Sequence, residues 1–263
     1  MDIRPFDHTL RDARGIIDVD RATFNDCHYA PEYIIELASA DQYIWVADDS
    51  HGVVGFVSAF GTRSLAGPRW EIDELAVHPS AQGRGIGTAL VAAAVQNAPL
   101  PARAIVARGN IASQRAFVKN GFAPAADAHL LVWDTSRAVF SRAEIAISVR
   151  RAQSADVLAP EYLLQETENA CLIGERDGIA QGHIELVRVR TLQYEGYWIE
   201  SIMAQEPKVA RELLRAAIDL SQKDGKIDLL GCLAPAQSIA YEACTDLGLE
   251  LVNQYTIFGK TQE

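Results

Sequence analysis

A chain of 263 residues is long enough for one large domain or two of ordinary size, and with 49% apolar and 22% charged residues it has the balance of a globular protein with a packed core. Its net charge of -11 repels phosphate backbones, which excludes nucleic acid as the expected partner. No stretch is apolar for long enough to span a bilayer, and Met1-Asp2-Ile3-Arg4-Pro5 lacks the apolar run of a secretory leader, so no membrane partner and a cytoplasmic location are expected.

In chain order, residues 3–6 read as a short strand, and 11–24 have helical spacing at Ile16, Ile17 and Val19/Asp20. A second short helix is expected at 31–39. Residues 43–47 and 53–60 form a hairpin around Gly52, and 70–77 form a strand that stops at His78-Pro79. Residues 88–97 carry Leu90, Val91, Ala94 and Val95 on one helical face. A strand at 104–107, a helix at 112–120 closed by Gly121, and a strand at 129–133 complete the half.

The second half repeats this plan. Strands are expected at 148–152, at 170–175 and 179–188 around Asp177-Gly178, and at 196–204. Pro207 opens a helix with Val209, Leu213, Leu214, Ala217 and Ile218 inward. A strand at 228–233, a helix at 237–247 capped by Gly248 and a strand at 251–258 follow. Leu75 to Gly121 spans 46 positions, as does Ile202 to Gly248, and Gly55 and Gly182 lie in corresponding hairpin strands. The shared spacing points to a duplication, with domains at 1–136 and 147–263 and a linker near 134–146. Cys27, Cys171, Cys232 and Cys244 stand far apart, with no CxxC pair and no cluster with histidine. They read as reduced, mostly buried thiols in a reducing compartment.

The chemistry signal is Leu75-Ala76-Val77-His78-Pro79-Ser80-Ala81-Gln82-Gly83-Arg84-Gly85-Ile86-Gly87-Thr88. A strand runs into glycines that open an apolar helix. Without Cβ atoms, several main-chain N–H groups converge on one anion, and the helix start adds orphan donors and its positive dipole end. This is a cradle for a pyrophosphate, with Arg84 at its rim. A P-loop would need a Lys that is missing. The dinucleotide fingerprint fails at Thr88, and the acidic ribose partner it needs is missing as well. The plain alternative is a tight turn with close helix packing.

These residues resemble the GCN5-related N-acetyltransferase (GNAT) family. Its motif [RQ]-x-x-G-x-[GA] is met by Gln82, Gly85 and Gly87 after Leu-Ala-Val and His-Pro, and Asn110, Phe117 and Gly121-Phe122 follow at the family's spacing. The resemblance implies an α/β (α+β) fold, here duplicated in tandem: a mixed, mostly antiparallel sheet flanked by helices, splayed beside the 70–77 strand. Acetyl-CoA would be the co-substrate. Its pantetheine would lie along Leu75, Ala76 and Val77, and its pyrophosphate on amides of Gln82, Gly83, Arg84, Gly85, Ile86, Gly87 and Thr88, with Asn110 and Phe117 nearby. The acyl group would pass directly to a small-molecule amine, without an acyl-enzyme and with no metal required.

An ammonium must lose its proton before it attacks a thioester. Alternation along the strand puts Glu71 and Asp73 on one face with Leu75 and Val77, and Glu74 on the other. Two neighbouring carboxylates on a partly buried strand raise at least one pKa. The family's histone-type members have their base at the position of Glu71, so Glu71, with Asp73, is the expected catalytic group. Its alternative is an ion pair with Arg63 or Arg69. Phe117 stands where the family often has a proton-donating Tyr. Met203-Ala204-Gln205-Glu206-Pro207-Lys208 replaces the cradle in the second half without a glycine, and Glu206 would repel phosphate. Competing readings are a non-catalytic acyl-CoA-binding regulator and a protein N-acetyltransferase. A homodimer covering the sheet edges is one further expectation.

Overall fold

The first helix, α1 (Leu10–Phe24), starts where the Thr9 hydroxyl accepts the Asp12 N–H at 3.2 Å, and it buries Ala13, Ile16, Ile17, Val19 and Asp20. Gly15 sets its distance from the sheet: a Cβ there would meet Val53 at 2.7 Å. The computed structural model describes residues 1–24, 29–40, 42–50, 52–96, 98, 101–137, 147–153, 156, 169–192, 194–224 and 229–261. Cys27 and most of the expected linker lie outside the described residues. Cys171, Cys232 and Cys244 are free and buried.

The elements follow the expected order. After β1 (Asp2–Pro5) and α1 come α2 (Pro31–Ala40), β2 (Gln42–Asp49), β3 (Gly52–Ser64), β4 (Gly67–Val77), α3 (Ile86–Gln96), β5 (Ala102–Ala107), α4 (Ile111–Lys119) and β6 (Ala123–Asp134). Then come β7 (Ser148–Arg151), β8 (Ala170–Arg176), β9 (Ile179–Arg190), β10 (Glu195–Ala204), α5 (Pro207–Asp224), β11 (Leu229–Ala234), α6 (Ile239–Asp246) and β12 (Glu250–Lys260). Helix α3 begins two residues before the expected start, because Ile86 is already buried against the sheet.

The chain forms two compact units that interleave in sequence. The first contains Met1–Thr62, Pro68–Ala126 and Thr256–Glu263; the second contains Arg63–Gly67 and Asp127–Tyr255. In the first, the strands run β1-β2-β3-β4-β5, with the end of β12 beside β5. In the second, β6 pairs antiparallel with β11 from Asp134↔Leu229 to His129↔Ala234, and β10, β9, β8 and β7 follow. The sequence reading kept each closing strand with its own half. Here the apolar end of β12 serves the first unit and that of β6 the second. The two strands carry interchangeable alternation, so sequence order does not decide which sheet each one joins.

The first unit's core joins Ala47, Val57, Trp70, Ile72, Ile86, Leu90, Val91, Ala104, Phe117, Phe122 and Phe258. The second unit has its own core under α5 and α6, with Leu213, Leu214, Ala217, Ile199 and Leu230 fully or nearly fully buried. The duplication is visible in the backbone. A Cβ on Gly55 would lie 3.0 Å from the Ala76 carbonyl oxygen, and one on Gly182 would lie 2.4 Å from that of Met203. Both partners of the second pair are 127 positions beyond their counterparts in the first. Gly121 and Gly248 share that offset and close α4 and α6 with φ of 82° and 84°.

Candidate active site

Strand β4 forms one wall of the site. It pairs in parallel with β5 at Trp70↔Ala102, Glu71↔Arg103 and Ile72↔Ala104, where the ladder ends among the described residues. Residues 73–77 therefore run on without β5 alongside. Past Ile72 the β5 edge of β4 at Leu75, Ala76 and Val77 carries no ladder pair with β5 among the described residues.

The alternation of β4 slips at this point. Trp70 and Ile72 join the core cluster under α3, and so do Leu75 and Val77, three and five positions past Ile72. The expected grouping of Glu71 and Asp73 with Leu75 and Val77 is thus corrected. One extra residue at 73–74 moves the later side chains to the opposite parity. The second unit repeats the spacing with Tyr197, Ile199, Ile202 and Ala204 in its core, and its β10–β9 register shifts between Ile199 and Ser201. After the slip, Glu71 and Glu74 both lie on the face away from α3.

Beyond β4, a 3-10 turn (Pro79–Ala81) leads to the glycines. Gly83 and Gly85 have φ of 76° and 80°, in the left-handed region, and a Cβ on either would meet nothing within 4 Å. Their backbone requires glycine, and the space beside them is open for an anion. The Ala89 N–H bonds the Gly85 carbonyl at 3.1 Å, so the preceding amides of Ile86, Gly87 and Thr88 form the helix's orphan first turn. The Ile86 side chain points into the core, and the Thr88 carbonyl accepts from Asn120 at 3.0 Å. A Cβ on Gly87 would make ordinary contacts with Val77 and Leu75 at 3.8 and 3.9 Å. Gln82 donates its amide to the Val77 carbonyl at 3.0 Å, tying the turn to the strand end. Arg84 is half exposed and lies 3.6 Å from Asp49. These residues fit a pyrophosphate.

Glu71 is buried and committed. Its Oε1 accepts from Thr62 at 2.9 Å, and Arg103 reaches both oxygens at 2.9 Å. The anticipated ion pair exists, with Arg103 in place of Arg63 or Arg69, because the parallel register sets Arg103 beside Glu71. Asp73 is exposed, and its Oδ2 accepts from Ser58 at 3.3 Å. The carboxyl held well above its usual range is that of Glu74, 7% exposed. Burial is the main cause; a hydrogen bond with the fully buried Asp20 of α1 and the charges of Asp73 and Asp20 add to it. Sequence reasoning saw Glu74 but missed Asp20, whose only signal was an acid on the apolar face of α1.

Asn110 caps α4, its Oδ1 accepting the Ser113 N–H at 3.1 Å. Phe117 is 3% exposed, edge-on to Phe122 and stacked on Phe258. It supports the site from the core and has no proton to donate.

The second unit repeats the frame with different side chains. Its β10–β11 ladder also ends early, at Ile199↔Cys232. Where Glu71 faces Arg103, Trp198 faces Gly231, and its ring fills the space a Cβ there would occupy at 3.0 Å. At the cradle position, Glu206 stands before α5, held by Lys208 at 2.9 Å and Arg176 at 3.3 Å. Ser201 takes the place of Glu74, and its hydroxyl donates to Glu185 at 3.5 Å.

Residues 13–122 match the family model described as the Acetyltransferase (GNAT) family. No curated protein sequence matches the chain. Among solved structures, the chain is similar to a GCN5-related N-acetyltransferase from Sphaerobacter thermophilus, with TM-score 0.66 and 14% identity over 99% of this chain and 95% of that one. It is also similar to a tandem GNAT protein from the clavulanic acid biosynthesis pathway, with TM-score 0.56 and 14% identity over 99% and 98%. A third similar structure is a GCN5-related glucosamine N-acetyltransferase region of a fungal multi-domain β-N-acetylglucosaminidase, with TM-score 0.65 and 14% identity over 98% of this chain and 38% of that chain. Residues 13–122 are a GNAT acetyltransferase domain, and the chain as a whole has the tandem form of that fold.

Proposed function

We propose that the chain is a tandem acyltransferase in which the first unit, most of residues 1–126 completed by the end of β12, binds acetyl-CoA and passes its acetyl group directly to an amine of a small-molecule acceptor. The degenerate second unit, mostly residues 127–255, binds no acyl-CoA in this reading. The carrying observation is the pairing of an early end to the β4–β5 ladder with an open glycine cradle one short turn later. Pantetheine would bond the freed edge at Leu75, Ala76 and Val77. The pyrophosphate would take amides between Gln82 and Thr88, with Arg84 at the rim and Asn110 and Phe117 supporting the far wall.

Glu71 and Asp73 belong to the acceptor side of this site. Arg103 and Thr62 already occupy Glu71, so its proposed part is to hold β5 against β4 at the point of parting. A small amine as acceptor agrees with the acidic chain, and the similar fungal region is described as acting on glucosamine. The test is release of free CoA from acetyl-CoA with a panel of polyamines, aminoglycosides, amino sugars, amino acids and peptide N-termini, followed by product mass. Release with one class identifies the acceptor.

The buried Phe117 at the usual position of a proton donor favours a second reading, in which acyl-CoA binding regulates a partner without turnover. Tight binding with no release from any amine would support it.

A further inference from the structure

We propose that Asn120 is a positioning residue for the cradle: through the Thr88 carbonyl it holds the first turn of α3 in the shape that presents its amides to the diphosphate. This deepens the acyl-CoA reading above and rests on it.

Asn120 closes α4, where its main-chain N–H bonds the Phe117 carbonyl at 2.9 Å. A helix end needs no more than that, yet both N–H bonds of the side-chain amide are committed as well. Nδ2 donates to the Ala116 carbonyl in its own helix at 2.8 Å and to the Thr88 carbonyl in α3 at 3.0 Å. The Lys260 ammonium of β12 donates to the Asn120 carbonyl at 2.8 Å and fixes the residue from a third side. Elements far apart in sequence thus meet at one half-buried residue of the first unit.

The Thr88 carbonyl belongs to the same peptide as the Ala89 N–H, which bonds the Gly85 carbonyl at 3.1 Å. The Gly85 carbonyl in turn shares its peptide with the Ile86 N–H, the first of the orphan amides of α3. A donor on Thr88 therefore polarises the Ala89 amide, and Ala89 polarises that of Ile86, in the direction that strengthens it toward an anion. The second unit closes the same corner differently. Leu247 stands 127 positions after Asn120, and Trp133 127 positions before Lys260. A Cβ on Gly121 would meet Lys260 at 3.7 Å, and one on Gly248 would meet Trp133 at 3.9 Å, so the two corners correspond. Leu247 is buried and has nothing to donate. The amide thus accompanies the glycine cradle, and the fold closes without it.

The test is titration calorimetry of acetyl-CoA into wild type, Asn120→Leu and Asn120→Asp, each well below its own Tm. Asn120→Leu installs the second unit's residue and should fold, since Leu247 closes the corresponding corner. Asn120→Asp keeps the shape and turns two donors into acceptors that face carbonyls. Asn120→Leu should weaken acetyl-CoA about two- to tenfold, the net worth of one hydrogen bond, and Asn120→Asp at least as much. With an amine that is acetylated, KM for acetyl-CoA should rise by the same factor while kcat at saturation stays unchanged.

A residue that only closes α4 would behave otherwise. Its replacement would lower Tm and leave the affinity of the folded protein at the wild-type level. Wild-type affinity in either folded variant would therefore overturn the proposal while the cradle stands, and so would a fall in kcat with KM for acetyl-CoA unchanged. A wild type that binds no acetyl-CoA would instead sink the cradle itself.

Discussion

The ring of Phe117 stacks on that of Phe258, with 6.3 Å between centroids and 25° between planes, although the two residues are 141 positions apart. Both belong to the unit that carries the glycine cradle, and the Lys260 ammonium donates to the Asn120 carbonyl at 2.8 Å beside them. The unit that carries the cradle is thus completed by the end of β12. Phe258→Ala should cost about 3–5 kcal/mol in denaturant unfolding, the usual loss for a buried aromatic. A chain ending at Tyr255 should lose acetyl-CoA binding although the whole cradle is present. A protein of residues 1–136 that bound as well as the full chain would contradict this.

Glu71 and Arg103 give a prediction of a different kind. With side chains 8% and 17% exposed, removing either leaves a buried charge unpaired, at a cost of about 3–5 kcal/mol. Arg103→Ala should therefore lower Tm clearly. Glu71→Gln should lower Tm as well and retain measurable CoA release. A Glu71→Gln variant that folds with wild-type stability and releases no CoA would return the proton-accepting role to Glu71.

Much of this was legible in the sequence because it is local. The glycine run, its strand and its helix are neighbours in the chain, and Gly83 and Gly85 adopt the positive φ that glycine supplies. The repeat was legible through Gly55, Gly182, Gly121 and Gly248, whose roles are set by backbone approach or a helix end. The slip at Asp73–Glu74 was not, since simple alternation fits the same residues and a bulge has no fixed signature. The Asp20–Glu74 pairing needs α1 to cross the strand. That contact is long-range.

At the other end of the pH scale, Asp12 and Asp48 are both held below the ordinary carboxylate range, chiefly by hydrogen bonds from Arg4 at 2.6–2.9 Å. Carboxylates with depressed folded values contribute stability above the unfolded pKa of about 3.9 and lose it as pH falls through the folded ones. Acid unfolding followed by circular dichroism should shift to higher pH in Arg4→Ala. An unchanged acid midpoint would show that the network contributes nothing.

The second unit should not bind acyl-CoA. Glu206 stands directly before the first turn of α5 with no glycine beside it, and Trp198 covers Gly231 at the step occupied by Glu71 and Arg103 in the first unit. Glu206→Gln should leave both the affinity and the stoichiometry for acetyl-CoA unchanged. A second acetyl-CoA site per chain, in wild type or in Glu206→Gln, would reveal a second cradle.

The most direct measurement is titration calorimetry of acetyl-CoA into the full chain, Gly85→Ala and Gly178→Ala. Both glycines have φ near 80° and open space at the Cβ position, so backbone strain is matched, but Gly178 lies in the β8–β9 turn of the other unit. One site per chain is expected, weakened at least tenfold by Gly85→Ala and untouched by Gly178→Ala. No heat of binding in wild type, or equal affinity in all three proteins, would contradict the assignment of the cradle.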